Sequence, residues 1–142
     1  MFTVAESVTI DRPVAEVFDF FTEGRARWDE SVISEEVTSP PPVGVGSTLH
    51  TRMRAVGREF SFDWRVTAYE PGERMAITST SGIMPTSSEL RFADANGATL
   101  VTVRIEGEPT GVMRLAQGMV AGEVRSTLTS SLQKAKRILE AG

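Results

Sequence analysis

The sequence predicts an α+β domain: one antiparallel sheet with helices confined to its flanks. Three observations predict it. Six segments in the middle of the chain alternate apolar and polar residues and are joined by hairpin-length turns, which favours antiparallel neighbours. The stretch from about Gly111 to Glu140 instead repeats apolar residues at three-and-four spacing, at Met113, Ala116, Val120, Val124, Leu128, Leu132, Ala135 and Ile138/Leu139, one stripe of a long helix. A shorter helical pattern stands between the first strand and the rest. Helix and sheet each need the other, because each has one apolar face to cover.

In chain order, Thr3 to Ile10 alternates and reads as the first strand. Asp11-Arg12-Pro13 stops it and starts a helix, since proline is tolerated in a first turn where its N–H would have had no partner. Val14, Val17, Phe18 and Phe21 then share one helical face. Gly24 ends that helix, and Arg25 to Glu30 forms a second short helix or turn presenting Trp28. Val32 to Thr38 alternates weakly. Ser39-Pro40-Pro41-Pro42 cannot continue a ladder, having lost its donors. Thr48 to Val56 resumes alternation, with Leu49, Thr51, Met53 and Ala55 on one face and His50, Arg52 and Arg54 on the other. Gly57 turns the chain into the clearest strand, where Phe60, Phe62, Trp64, Val66 and Ala68 oppose Glu59, Ser61, Asp63, Arg65 and Thr67. Tyr69 to Glu73 reads as a turn, Arg74 to Thr80 as a strand with Met75, Ile77 and Ser79 inward, and Ser81 to Thr86 as a loop. Strands around Ser88 to Phe92 and Val101 to Ile105 flank a hairpin turn at Asp94-Ala95-Asn96-Gly97. Residues 1–142 are expected to form one domain.

Composition narrows the function classes. Hydrophobic residues at 40% and charged residues at 24% are ordinary for a globular chain and give no sign of disorder. A net charge of −4, with basic residues scattered among acids, argues against a nucleic-acid binder. The chain has no cysteine, hence no disulfide framework or thiolate chemistry. The first residues lack the pattern of a signal peptide, and no apolar run approaches a membrane span, so a cytoplasmic protein is expected. Phosphate-cradle, Rossmann and nucleophile-elbow motifs are absent. One histidine and no ligand cluster at zinc spacing lead us to expect no metal and no cofactor.

The ordered set Val8-Thr9-Ile10-Asp11-Arg12-Pro13-Val14-Ala15-Glu16-Val17-Phe18, Trp28-Asp29, Gly44-Val45-Gly46-Ser47, Trp64-Arg65-Val66-Thr67-Ala68-Tyr69-Glu70-Pro71, Gly97-Ala98-Thr99 and Leu132 to Glu140 resembles the START-like (SRPBCC) superfamily, and within it the polyketide cyclase/dehydrase-type members. The resemblance spans nearly the whole chain. It implies a helix-grip fold, a curved antiparallel sheet wrapped around the carboxy-terminal helix, with an apolar cavity between them that in many members accepts a hydrophobic small molecule or lipid.

Candidate cavity residues follow from strand phase and residue type. Phe60, Phe62, Trp64, Met75, Phe92, Met113 and Met119 are the natural apolar lining, methionine adapting its shape to a guest; plain core packing is the rival reading. Met53, Ile77, Leu90 and Val120 share their faces. Trp28 closes one end of the core or gates the cavity, and Thr51, Ser79, Ser88, Asp29 and Glu123 are the polar candidates within it or at its mouth. His50 is expected outward, which disfavours it as a proton carrier. Asp29 and Glu30 read as solvated helix-end charges or as an acid/base pair, and Glu123 and Arg125 flank the helical stripe. The leading expectation is a binder of a hydrophobic small molecule or lipid-like metabolite, as a monomer or homodimer. A polyketide cyclase/dehydrase-type enzyme and a protein-interaction module of the same fold are the alternatives. No residue is assigned as catalytic. The amino-terminal half of the long helix, rich in Gly and Met (Gly111, Met113, Gly118, Met119, Gly122), is expected to be looser than the regular half that follows, since glycine weakens helices.

Overall fold

A computed structural model describes residues 1–55 and 57–142. Seven strands form one antiparallel sheet: β1 (Phe2–Ile10), β2 (Val32–Val37), β3 (Thr48–Ala55), β4 (Arg58–Glu70), β5 (Arg74–Ser81), β6 (Thr86–Ala95) and β7 (Ala98–Gly107). The spatial order is β1-β7-β6-β5-β4-β3-β2. Strands β2 to β7 therefore meander, β2 joined to β3 by the longer segment 38–47 and β4 to β7 joined by short turns, while β1 sits beside the last strand, pairing from Phe2↔Gly107 to Ile10↔Thr99. Two-residue Asn96-Gly97 closes the β6–β7 hairpin, with φ of 58° and 91°, the positive values such a turn demands. The expected strand end at Val56 lies outside the described residues.

Helix α1 (Val14–Thr22) follows Pro13 and buries Val17, Phe18 and Phe21. A 3₁₀ turn at Arg25–Arg27 leads into β2. The closing helix departs from the expected single element. Gly111–Ala116 is 3₁₀, and helix α2 runs from Gln117 to Ala141. Neither start carries a side-chain cap, so nothing offsets the unpaired N–H groups that an uninterrupted α-helix from Gly111 would expose. Burial divides α2 along the line the glycines suggest: Leu128, Ser131, Leu132, Ala135 and Leu139 are buried, and no residue before Leu128 is. Ile138, placed on the stripe by its spacing, is instead 43% exposed, because Leu139 takes the inward position.

The carboxy-terminal half of α2 is anchored to β1 and to the turn after it. Lys136 Nζ donates to the Thr9 carbonyl at 2.6 Å, Arg12 Nη2 to the carbonyls of Glu140 and Gly142, and the Asp11 N–H to the Glu140 carboxylate at 2.8 Å. Those contacts join residues more than a hundred positions apart and hold the helix across one end of the sheet. One core cluster fills that end, from Val4, Ile10, Val17, Phe18 and Phe92 to Leu132 and Ala135. A second, Leu49, Phe62, Trp64, Val66, Met75 and Ile77, covers the inner face of β3 to β5. The half of α2 before Leu128, which buries no residue, passes over the space between them. Among the described residues no helix is long and apolar enough to cross a membrane.

Candidate ligand-binding cavity

Between the inner sheet face and the first half of α2 lies a partly open cavity of about 530 Å³. The sheet supplies Met53, Phe60, Phe62, Trp64, Met75, Ile77 and Leu90; the helix side supplies Met113, Val120, Glu123, Val124 and Leu128; Phe21 and Trp28 wall one end. Thirteen of the seventeen cavity candidates named from the sequence thus line it: Trp28, Asp29, Met53, Phe60, Phe62, Trp64, Met75, Ile77, Ser88, Leu90, Met113, Val120 and Glu123.

Four do not line it, each for a local reason. Thr51 is fully buried behind the wall, its hydroxyl donating to Glu35 at 2.8 Å and accepting the Trp64 indole N–H at 3.1 Å. Ser79 accepts the Thr86 N–H at 2.9 Å and closes the β5–β6 loop instead of facing the void. Phe92 is packed edge-on against Phe18 and Phe21, with centroids 5.1 and 5.9 Å apart, and so belongs to the core under α1. Met119, in the first turn of α2, is 68% exposed, as are Val112 and Leu115 of the preceding 3₁₀ segment at 84% and 92%.

Tyr69 lines the cavity although its sequence context reads as a turn. The cause is a β-bulge: Val66 pairs with Ile77 but Ala68 with Ala76, leaving Thr67 extra in β4. The bulge shifts the strand's phase by one, so Tyr69, opposite Met75, joins the inner face. Close approach shapes the wall elsewhere too. Gly82 has φ of 151°, and a Cβ there would overlap the Phe62 ring. Phe62 in turn stacks on Trp64, with centroids 5.0 Å apart.

The polar feature that sequence reasoning missed is an ion pair at the cavity edge. Arg25 Nη2 lies 2.6 Å from Glu35 Oε2, and Nε donates to the same oxygen at 2.7 Å, with the two side chains only 12% and 9% exposed. Nη2 also reaches Thr51 Oγ1 at 3.3 Å, and the guanidinium carbon sits 5.4 Å from the Trp64 ring centroid. Burial pushes the Glu35 carboxyl up, but the Arg25 charge and the hydrogen bonds from Arg25 and Thr51 outweigh it and hold the group below its ordinary value. Burial likewise lowers Arg25, and Glu35 more than restores it. Strand phase in the sequence does not signal this pair. A register shift between Val32 and Ser34 puts Glu35 opposite Thr51 and Val37 opposite Leu49, on the inner face, where a carboxylate requires a cation.

The other candidates make the following contacts. His50 points outward and meets Asp63 at 2.8 Å. Hydrogen bonds from Ser81 and His50 hold the exposed Asp63 carboxyl below its usual range. Asp29 lines the cavity edge, but its carboxylate accepts the Ser31 N–H and hydroxyl at 3.0 and 2.6 Å, a turn contact. Glu30 donates its N–H to Ser131 Oγ. Arg125 pairs with Glu6 of β1 at 3.2 Å. Trp28 is 2% exposed and donates its indole N–H to the Phe21 carbonyl, so it closes the end of the core.

The profile of the polyketide cyclase / dehydrase and lipid transport family matches residues 1–140. The chain belongs to that family. Solved structures share its fold over nearly their whole length. The ZhuI aromatase/cyclase from Streptomyces sp. R1128 is 15% identical, with 98% of this chain and 93% of that one covered and a TM-score of 0.78. A START superfamily protein from Mycobacterium smegmatis is 17% identical, with 98% and 97% covered and a TM-score of 0.75. The protein TTHA0849 from Thermus thermophilus is 18% identical, with 94% and 97% covered and a TM-score of 0.75. No curated protein sequence matches significantly. At such identities the likeness is one of fold: the curled seven-stranded sheet and long carboxy-terminal helix are the helix-grip arrangement.

Proposed function

We propose that the protein binds a hydrophobic small molecule or lipid-like metabolite in the cavity between the sheet and α2. The observation that carries this is the cavity itself: about 530 Å³ walled by aromatic, methionine and branched aliphatic side chains, under a helix segment that buries no residue of its own. An apolar guest would gain by leaving water, and the walls are already in place, so little ordering cost opposes binding. Both tryptophans, Trp28 and Trp64, line the space and report on its occupancy. Native mass spectrometry of the purified protein, with titration of 1-N-phenylnaphthylamine followed by tryptophan quenching, tests the reading. Saturable one-to-one binding is expected; the absence of both a retained apolar molecule and saturable quenching would overturn it.

A second reading, a cyclase/dehydrase acting on a poly-β-ketone, is supported by the family description and by Glu123, an acidic side chain on the cavity wall. Such an enzyme would fold the substrate by cavity shape and move protons with a wall-mounted carboxyl. Turnover of an aromatic polyketide precursor that falls at least tenfold in Glu123→Gln would favour it; no turnover by the wild type leaves binding alone.

A further inference from the structure

The cavity walls are apolar except at one edge, where the Arg25–Glu35 pair meets the void. Of the guanidinium nitrogens, Nε and Nη2 are spent on Glu35 and Thr51. Among the described residues nothing accepts a hydrogen bond from Nη1, and no fully buried side-chain nitrogen or oxygen lacks a partner. Nη1 is therefore not fully enclosed, and Arg25 is one of the residues that line the cavity. Its two N–H groups are donors awaiting an oxygen.

The surrounding charge decides which oxygen. Glu35 already neutralises Arg25. The rest of the lining adds Glu23, Asp29 and Glu123 against Arg54, so acidic side chains outnumber arginines around the void. A carboxylate guest would bring a further negative charge into a mostly apolar space whose lining already carries more acidic side chains than arginines, at a desolvation cost. A keto or hydroxyl oxygen accepts the same hydrogen bonds without that cost.

Resting on the binding reading above, we propose that the cavity selects neutral, oxygen-bearing apolar molecules, anchoring a keto or hydroxyl oxygen on Arg25 Nη1, and discriminates against carboxylate-headed ones. Arg25 is then a specificity residue that touches the ligand, and Glu35 positions it. The flat Trp64 and Phe62 rings beside the guanidinium suit an aromatic body next to that oxygen.

Isothermal titration calorimetry at pH 7.5 with naphthalene, 2-acetylnaphthalene and 2-naphthoate tests this. The ketone should bind about tenfold or more tightly than the carboxylate, and also more tightly than naphthalene. In the double variant Arg25→Met/Glu35→Met, which leaves no buried charge unpaired, the ketone should fall to the affinity of naphthalene. The proposal is overturned if 2-naphthoate binds as tightly as the ketone, or if the double variant keeps the ketone's advantage. The wild-type comparison stands even if the variant does not fold. Equal binding of all three compounds sinks this inference alone, whereas binding of none sinks the binding reading with it.

Discussion

Removing one partner of the buried ion pair should do more harm than removing both. In Arg25→Met the apolar stem is kept and the guanidinium lost, so Glu35, its side chain 9% exposed, is left as a carboxylate with only the Thr51 hydroxyl and the backbone of residue 25 as hydrogen-bond donors. Breaking a buried pair in this way costs about 3–5 kcal/mol. With an unfolding entropy near 0.3 kcal/mol per degree for 142 residues, the melting temperature should drop by roughly 10–17 °C. The double variant Arg25→Met/Glu35→Met should recover most of that and stay within about 2 kcal/mol of wild type, the residue of the loss being the Thr51 hydroxyl left without its acceptor. Urea denaturation of the four proteins of the cycle is the assay. The pH dependence supplies an independent check of sign. In the wild type the folded Glu35 value lies below the unfolded one, so its stabilisation is present above the unfolded value, near 4.5, and is lost as pH falls through the folded value. In Arg25→Met the charge that opposes burial is gone and only the hydrogen bonds from Thr51 and from the backbone of residue 25 remain against it, so the folded value should rise and the variant should gain stability relative to wild type as pH is lowered from 7 toward 5. A single variant as stable as the double one, or a deficit independent of pH, would refute the reasoning.

The two halves of α2 should respond differently to truncation: Leu132→Ala, at a 1% exposed position, is expected to cost about 2–5 kcal/mol, and Met119→Ala, 68% exposed, to stay within about 0.5 kcal/mol, both read by urea denaturation. Gly82→Ala must displace the Phe62 ring and place a side chain at φ of 151°, so it should destabilise by about 1–3 kcal/mol and weaken 1-N-phenylnaphthylamine binding through the altered wall, measured by melting and by quenching. His50→Ala, on the outer face, should leave that binding unchanged in the same titration. Hydrogen exchange should be slow at amides from Leu128 to Leu139 and markedly faster from Met113 to Val124; uniform protection along the helix would contradict the division read from burial.

Period-two phase was legible in the sequence wherever strands were regular. It placed Met53, Phe60, Phe62, Trp64, Met75 and Ile77 on the inner face, where they line the cavity, and His50 on the opposite face. It failed at bulges, because one extra residue reverses the phase without altering composition. Thr67 turned Tyr69 inward from what reads as a turn, and the shift in β2 turned Glu35 inward from a weakly alternating segment. The Arg25–Glu35 pair was illegible for a second reason. Its partners come from a 3₁₀ turn and a strand whose approach is set by tertiary packing, and neither residue type alone marks a buried site. Phe92 shows the limit of residue type: an inward aromatic belongs to core or cavity according to what α1 places above it, and Phe18 and Phe21 decide for core. Met119 shows the same limit on the helix: it lies off the three-and-four stripe, whose Val120 and Val124 do line the cavity, and is 68% exposed.

The central claim is that an apolar guest enters the space beneath the first half of α2. A ¹H–¹⁵N NMR titration of the full chain with 2-acetylnaphthalene tests it most directly. The account predicts saturable shifts at the Trp28 and Trp64 indole N–H groups and at the backbone amides of Phe62, Met75, Val120 and Val124, with the outward residues His50, Asp63 and Ser81 unmoved. Shifts confined to the outer sheet face or to the exposed Val112, Leu115 and Met119, or no saturable shifts at all, would contradict it.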